Sequence, residues 1–580
     1  VGINNMYEDE KSMTREEKDY YKKKKLGSFV VNYNSELSIS TDEWKPRWQE
    51  LIDMYLPRKG NVYDTDTRGQ KRVRIYDITG LLANEELASA LHTNLTNPTT
   101  QFCEFSTGNS ELDTNPKIAK YLQRRTEIFH SVLNNSNYQT EVHESYLDLG
   151  ALGTRVMRID EDEDEVVRFT CRPIFEYNCD ENDKGIVDVL SREKEYTSRQ
   201  LVNKFGKDFL KYSEEVHGEE AREYKIKTML QDSRRKYKVI EMFLPSKYLK
   251  NRGIIKSYSR PYTMLYVLEE GHCFLKQDWF NELNHAVSRW TKASGEIHGR
   301  GPGSKGLAAV LMLNELAKFI VQANQLAIKP PVMVPDDGTY PGFKIFPGAV
   351  NYYRTGTRDE IKAFNSGSNV NVADWLVSRL SDHINKAFFI DKIRLPDINR
   401  MTREETVVRR DENLRAWAPI LGRQEREDLL PTVKRVDSII ERRGMYPPPP
   451  SELEGANLEI KYSSQVARVQ KATLADNADQ WVSSMVQLSN MSRKPETLDS
   501  INFDAYSRYT AFTRSVPASL VNSEEDVQAL NEQRQMQQQE MMQMQQNQSM
   551  AKTAKDAAQA AQAAPEDALD GEGGIPEGLV

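Results

Sequence analysis

Residues 298–334, HGRGPGSKGLAAVLMLNELAKFIVQANQLAIKPPVMV, decide the architecture, because the helix written there is apolar around nearly its whole circumference. Asn314, Lys318, Gln322 and Gln325 follow one another at steps of four, four and three, so the polar residues fall on one narrow stripe. Leu307, Val310, Leu311, Leu313, Leu316, Phe319, Ile320 and Val321 occupy the rest. Such a helix must be surrounded. A membrane span is a poor reading of it, since Glu315 and Lys318 stand mid-helix where a span of about 20 residues should be nearly free of charge. The coverings that remain are the interior of one domain or neighbouring copies in an oligomer.

The glycines ahead of the helix raise the question of a phosphate-binding loop. A P-loop reads G-x-x-x-x-G-K-[ST], with glycine just before the lysine so that backbone amides wrap the phosphates. In this chain Ser304 precedes Lys305 and Gly306 follows it, which places glycine and hydroxyl on the wrong sides. Lys292, Ser294 and Glu296 also interrupt any apolar strand leading in. The expectation is a flexible joint that starts a helix.

Composition narrows the class further. A chain of 580 residues has room for two or more domains, and 28% charged with 38% hydrophobic residues is an ordinary soluble balance. Cys103, Cys171, Cys179 and Cys273 form no C-x-x-C pair, which argues against structural zinc or a redox centre and fits a reducing compartment. The amino-terminal stretch VGINNMYEDEKSMTREEKDYYKKKK shows no apolar core of a signal peptide. A formal charge of −8 gives no overall excess for gripping nucleic-acid phosphates.

Along the chain, residues 1–43 read as a mobile arm with the charge run Lys22 to Lys25. Trp44, Trp48, Leu51, Ile52 and Tyr55 then recur at helical spacing until Leu56-Pro57. A second helix follows Asp77 and Thr79 and carries Leu81, Leu82, Leu87, Ala90, Leu91 and Leu95 up to Asn97-Pro98. From Gly153 the period becomes two: 154–159, 166–171 and 186–191 are predicted strands, the first two joined through a solvated acidic tip at 160–165. That tip lacks the glycine and convergent ligands of a cation loop. The eight histidines form no H-E-x-x-H, and there is no G-x-S-x-G elbow.

Lys329-Pro330-Pro331 closes the apolar helix, and 330–370 is rich in Pro, Gly and aromatic residues, with strand-like pieces at Val332 to Val334 and Phe343 to Phe346. A helix capped by Asn371 is predicted next, with Val372, Trp375, Leu376, Leu380, Ile384, Ala387 and Phe388 on its apolar face. After a break at 394–401, Thr402 to Glu405 matches a capping box and opens a long helix to about Arg443, kinked at Pro419 and Pro431 and stopped by Gly444. A strand at 458–462, further helix, a helical segment near 524–562 and a disordered last fifteen residues complete the reading.

The order of these parts resembles the portal proteins, or head-to-tail connectors, of short-tailed bacteriophages, from about Trp44 to Val527. The pieces that carry the likeness are WKPRWQELIDMYLPR, RIYDITGLLANEELASALHTNLTNP, YLDLGALGTRVMRI, YTSRQLVNKFG, RWTKASGEIHGRGPG, LNELAKFIVQANQLAIKPPVMV, AFFIDKIRLPDINRMTREETVVRR and EIKYSSQVARVQKA. Two departures stand out: NPTTQFCEFS has Phe102-Cys103 where the family often has tryptophan, and the carboxyl end is weakly patterned.

The resemblance implies an α+β, mainly helical subunit of a ring of about twelve copies at one capsid vertex. Its parts would be a wing at 44–305, stem helices at 306–328 and 371–393, a clip at 329–370, a tunnel loop at 394–401, a kinked long helix at 402–465, a crown at 466–522 and a Gln/Met/Ala-rich end at 523–580. Double-stranded DNA would pass through the ring, with Arg394, Asn399 and Arg400 as channel candidates. Terminase and then a tail adaptor would dock on the clip, where Tyr340, Phe343, Phe346, Tyr352 and Tyr353 are candidates. Major capsid and scaffolding proteins are further partners, and the place of the protein is the virion, assembled in the host cytoplasm. No catalysis, cofactor, metal or membrane is implied. Copies at −8 each make a negative conduit, which suits sliding because each neutralised phosphate adds affinity that stalls movement. The rival reading is another oligomeric virion part, such as an adaptor ring or internal core protein.

Overall fold

The computed structural model describes residues 15–63, 74–109, 112–113, 115–212, 219–232, 234–329, 331–335, 344, 346–353, 362–363, 370–393, 419–453, 458–462, 465–492, 495–514, 516 and 524–562. The chain divides into two compact units, Val1–Asp113 with Tyr121–Gln470, and Thr114–Lys120 with Lys471–Val580. Both helices and sheets are present, with helix predominating, as an α+β, mainly helical chain requires.

The first helix, α1, runs from Arg15 to Tyr55, so residues 15–43 are not the mobile arm expected. Leu26, Val30, Tyr33 and Leu37 recur every three or four residues, lie on one face and are buried. They pack with Val189, Ile240, Met242, Leu265, Val267 and Phe274. Each such side chain contributes roughly 1.5–3 kcal/mol on full burial, ample to hold the segment down despite its lysines. Polar ties add direction: Tyr33 donates to Asp180 at 2.8 Å, and the Asn34 amide donates to Glu193 at 2.9 Å. As expected, Tyr55 ends the helix before Pro57.

Next come α2 (Thr79–Leu95), β1 (Cys103–Ser106), α3 (Pro116–Asn135) and α4 (Tyr138–Leu152). Phe102 stands edge-on to His130 at 5.0 Å, so this departure from the family's tryptophan falls in packed core. Strands β2 (Thr154–Asp162), β3 (Val166–Pro173), β4 (Tyr177–Glu181) and β5 (Val187–Thr197) follow; β2, β3 and β5 begin within a residue of their sequence-derived positions, and β4 is an additional strand that the sequence reading did not place. Then come α5 (Ser198–Phe205), α6 (Glu219–Gln231), β6 (Lys236–Pro245), α7 (Ser246–Asn251), β7 (Tyr262–Leu268), β8 (Cys273–Phe280) and β9 (His285–Arg289). One antiparallel sheet has the order β3-β2-β9, with Thr154 opposite Arg289 and Arg155 opposite Ser288; a second is the meander β4-β5-β6-β7-β8. The acidic tip between β2 and β3 is exposed at Glu161, Glu163, Asp164 and Glu165, as a solvated tip should be, and Arg443 meets Glu161 at its base at 3.2 Å.

The apolar helix is α8 (Pro302–Ile328), four residues earlier at its start than expected. It is followed by β10 (Val332–Pro335), β11 (Val350–Tyr353) and β12 (Lys362–Ala363), which form a small sheet of order β11-β10-β12. Strands β10 and β11 are parallel. Lys344 and Phe346 are not in a strand, so the pairing expected at 343–346 is taken by 350–353 instead.

The returning helix α9 (Val370–Ala387) already includes Asn371, which therefore does not cap it. Nor is it continuous to 393: Phe389 takes φ +60°, and a separate turn, α10 (Ile390–Ile393), follows. Residues 419–424 are helical, Glu425–Leu429 form a π turn, and α11 (Leu430–Arg442) ends at Gly444 with φ +65°. Pro431 stands directly after this wide turn, since it has no N–H to donate and its ring would press on the carbonyl of Glu427 in an α turn.

Strand β13 (Glu459–Tyr462) pairs antiparallel with β1. The remaining helices are α12 (Gln465–Ser492), α13 (Phe503–Thr513) and α14 (Glu524–Gln562), the last spanning the stretch for which helix was expected. Within the second unit, α13 is tied to α12 by Tyr506 and Arg514, which both bond Asp479.

Candidate assembly surface and channel elements

Gly299, Gly301 and Gly303 do not form a flexible joint. A Cβ on Gly303 would lie 2.5 Å from the carbonyl oxygen of Ala151, and one on Gly301 would lie 2.7 Å from that of Gly150. Gly153, the left-handed cap of α4 at φ +82°, receives the same stretch, and a Cβ there would run into the Gly301 amide and the Gly299 carbonyl. Glycine is required at these positions because two backbones touch. The Tyr55 hydroxyl donates to the Gly303 carbonyl at 3.1 Å, and Lys305 points to solvent.

From this anchorage α8 extends about 40 Å at 1.5 Å per residue. Its first half is held: Val310, Leu313 and Asn314 are buried, and the Asn314 side-chain oxygen accepts the Tyr76 amide at 2.8 Å. The predicted polar stripe therefore begins inside the body, and beyond Asn314 no residue of the helix is buried. Met312 and Phe319, two turns apart, are 56% and 58% exposed on the side away from Val310 and Leu313. Val321 and Ile328 continue the azimuth of the buried residues, yet Ile328 is 78% exposed. This helix is long and apolar enough to cross a membrane by length and composition. Its first turns, however, are locked against Ala151 and Tyr55 within a folded unit, and its middle carries the Glu315–Lys318 ion pair at 3.3 Å.

Helix α9 returns antiparallel, since Gly306 near the start of α8 faces Ala387 and Phe388 at the end of α9. Leu380, Ile384 and Phe388 are buried, whereas Trp375 is 58% exposed beneath the Arg379 guanidinium. Of the residues expected to dock partners, Phe346 is 53% exposed in a turn secured by the Ala349 amide, and Val350 beside it is also exposed. Tyr352 and Tyr353 place their backbones in β11 opposite Val334 and Pro335. Their side chains lie outside the described residues, as do Tyr340, Phe343 and the channel candidates Arg394, Asn399 and Arg400.

Sequence reasoning missed a buried charge cluster beneath the π turn. Arg289 on β9 pairs with Glu427 at 3.0 Å and Glu181 at 2.9 Å, and Lys292 holds Glu181 at 2.5 Å. Although burial opposes its charge, the bonds to Glu427 and Glu181 push the Arg289 pKa up. Arg155 on β2 pairs with Asp428 and stacks over the Tyr146 ring at 4.4 Å. Arginines inside otherwise apolar strands, TRVMRI and HAVSR, were the available signal. Among the described residues no group of three or more His, Cys, Asp or Glu is placed to hold a metal ion.

The family model for bacteriophage head to tail connecting proteins matches residues 34–521. The chain belongs to that family. Among its relatives, the portal protein of Salmonella phage epsilon15 is 27% identical over 512 residues, covering 86% of this chain and 89% of the relative. The probable portal protein of Bordetella phage BPP-1 is 24% identical over 526 residues, with the same coverage of each.

Proposed function

We propose that this connecting protein assembles into a closed ring of about twelve copies at one vertex of the capsid, through which double-stranded DNA is packaged and ejected. The observation that carries this reading is α8: apolar Met312 and Phe319 face away from the body, and Val321 and Ile328 lie bare where the body no longer covers them. A helix exposed on opposite sides calls for a neighbour on each, which cyclic assembly supplies. Helices α8 and α9 form the stem, the sheet β11-β10-β12 belongs to the clip, and α12 onward belongs to the crown. Arg394, Asn399 and Arg400 line the narrow part of the channel. Phe346 and the clip tyrosines meet terminase during packaging and a tail adaptor afterwards, while capsid and scaffolding proteins surround the body. The protein is a structural part of the virion and hydrolyses no nucleotide.

The test is end-on electron microscopy with native mass spectrometry of the purified full-length chain. Rings of about twelve copies with an axial hole are expected, and a stable monomer under assembly-permissive conditions overturns the reading. For the channel, Arg400→Ala should leave rings intact while lowering packaging yield or genome retention. Normal yield and retention in that variant would move the constriction elsewhere.

A further inference from the structure

Three side chains on and beside the π turn grip the sheet β3-β2-β9. The Gln424 amide donates to the Arg289 carbonyl at 2.9 Å, and its oxygen accepts from the Ser288 hydroxyl at 2.8 Å. Glu427 accepts three bonds from Arg289: from the backbone amide at 2.9 Å, Nε at 3.2 Å and Nη2 at 3.0 Å. Asp428 pairs with Arg155. Both arginines are fully buried and held from other directions. Arg289 also donates to Glu181, to the Gly185 carbonyl at 2.6 Å and to the Ile297 carbonyl at 3.2 Å. Arg155 donates to the Ser288 hydroxyl at 3.0 Å and to Ser145. The sheet side is thus a rigid template.

The helix side has a choice of registers. Pro431 demands a widened turn somewhere ahead of it, and the Leu430 amide accordingly bonds Glu425, five residues back. The proline confines the wide turn to the stretch around the Glu427 carbonyl, against which its ring would press, but leaves the register open by a residue either way. A slip of one residue would rotate the preceding helix by about 100° and shift it by about 1.5 Å. Gln424, Glu427 and Asp428 could not then all meet their partners, and a fully buried arginine would be left without its carboxylate, a heavily penalised state.

We propose that Arg155 and Arg289, with Asp428, Glu427 and Gln424, are positioning residues that fix the register of helix 419–442, selecting one wide turn among those Pro431 permits. Buried ion pairs gain little net stability over well-packed apolar side chains, because desolvation offsets their attraction, so their chief effect here is to exclude other registers. Residues 419–424 continue the chain from the channel candidates Arg394 and Arg400. The register therefore fixes where that stretch joins the body, a consequence that rests on the channel reading; the register itself does not.

The experiment compares the full-length protein with two paired replacements, Arg155→Met with Asp428→Leu, and Arg289→Met with Glu427→Leu, separately and together. Amide hydrogen exchange of residues 419–430 should rise by about tenfold while that of β6 stays unchanged. The melting temperature should remain within a few degrees of wild type, and electron cryomicroscopy of the combined variant should show Leu430 bonded to Arg426 or the turn displaced. An unchanged turn and unchanged exchange overturn the proposal. So does a uniform loss of protection including β6, which would make the pairs simple stabilisers. If the combined variant does not fold, the two single pairs give the same readout. In infection, a shifted register with normal genome retention supports the positioning role and counts against the channel reading alone.

Discussion

Gly303→Ala separates the two readings of the glycine run most sharply. On helix propensity alone the change should stabilise α8 by about 1 kcal/mol, because glycine is the costlier residue inside a helix. The added methyl would sit 2.5 Å from the Ala151 carbonyl oxygen, 3.0 Å from its Cα and 3.1 Å from its carbonyl carbon. All three are backbone atoms. Ordinary contact begins near 3.4 Å, so the two chains must part by about 0.9 Å. Gly301 and Gly153 bring the same backbones together on either side, leaving no local slack. Overpacking of this kind costs about 1–3 kcal/mol, and parting the chains also weakens the Tyr55–Gly303 bond, worth about 0.5–1.5 kcal/mol. Set against the propensity gain, the net expectation is a loss of about 1–3 kcal/mol. Urea unfolding followed by fluorescence of the buried Trp48 and Trp290 would read it. Gly306→Ala is the control: its new methyl meets only the Tyr55 hydroxyl, Phe388 and Ala387 side chains, at 3.1–3.6 Å, and should change stability by less than about 1 kcal/mol. If Gly303→Ala is as stable as wild type, the run is a flexible joint after all and the close-packing argument fails.

Further expectations concern the charged groups and the bare helix. Lys59→Met leaves Asp148 buried without its cation and should cost about 3–5 kcal/mol in unfolding experiments, with Asp148→Leu restoring most of it in the double variant. Burial raises the Asp148 pKa despite Lys59, so the restored variant should also lose part of the protein's pH sensitivity. Glu181 behaves oppositely: burial works against its charge, but Lys292 and Arg289 hold its pKa below the usual carboxylate value. Its folded pKa is depressed, so its stabilisation is present above the ordinary value and lost as pH falls through the lowered one; melting temperatures of Glu181→Gln should fall less steeply in that acid range than wild type. Phe319→Asp should leave the isolated fold within about 0.5 kcal/mol, since the site is exposed, but abolish ring formation in sedimentation velocity; intact rings would remove α8 from the interface. Lys305→Ala, on an exposed residue, should package DNA normally.

By itself the sequence determined most of the elements. The spacing of Trp48, Leu51, Ile52 and Tyr55, the alternation from Thr154, the stop at Gly444 and the helix formers of 524–562 all depend on neighbours within a few residues, and each element lies where that local chemistry puts it. The arm expected at 15–43 is helix for a related reason: Leu26, Val30, Tyr33 and Leu37 are held by a sheet formed some 150 residues or more later, a partner that the local lysine run does not announce. Tertiary structure alone decided the rest. Gly303 is indispensable only because Ala151 arrives against it, Phe389 breaks a helix whose periodicity continues past it, and Glu427 finds Arg289 across 138 residues. Helical and strand periods are set by adjacent dihedrals and side-chain size, so they are written along the chain. Which backbones touch and which charges meet is set by how the finished layers pack, and no local pattern carries that information.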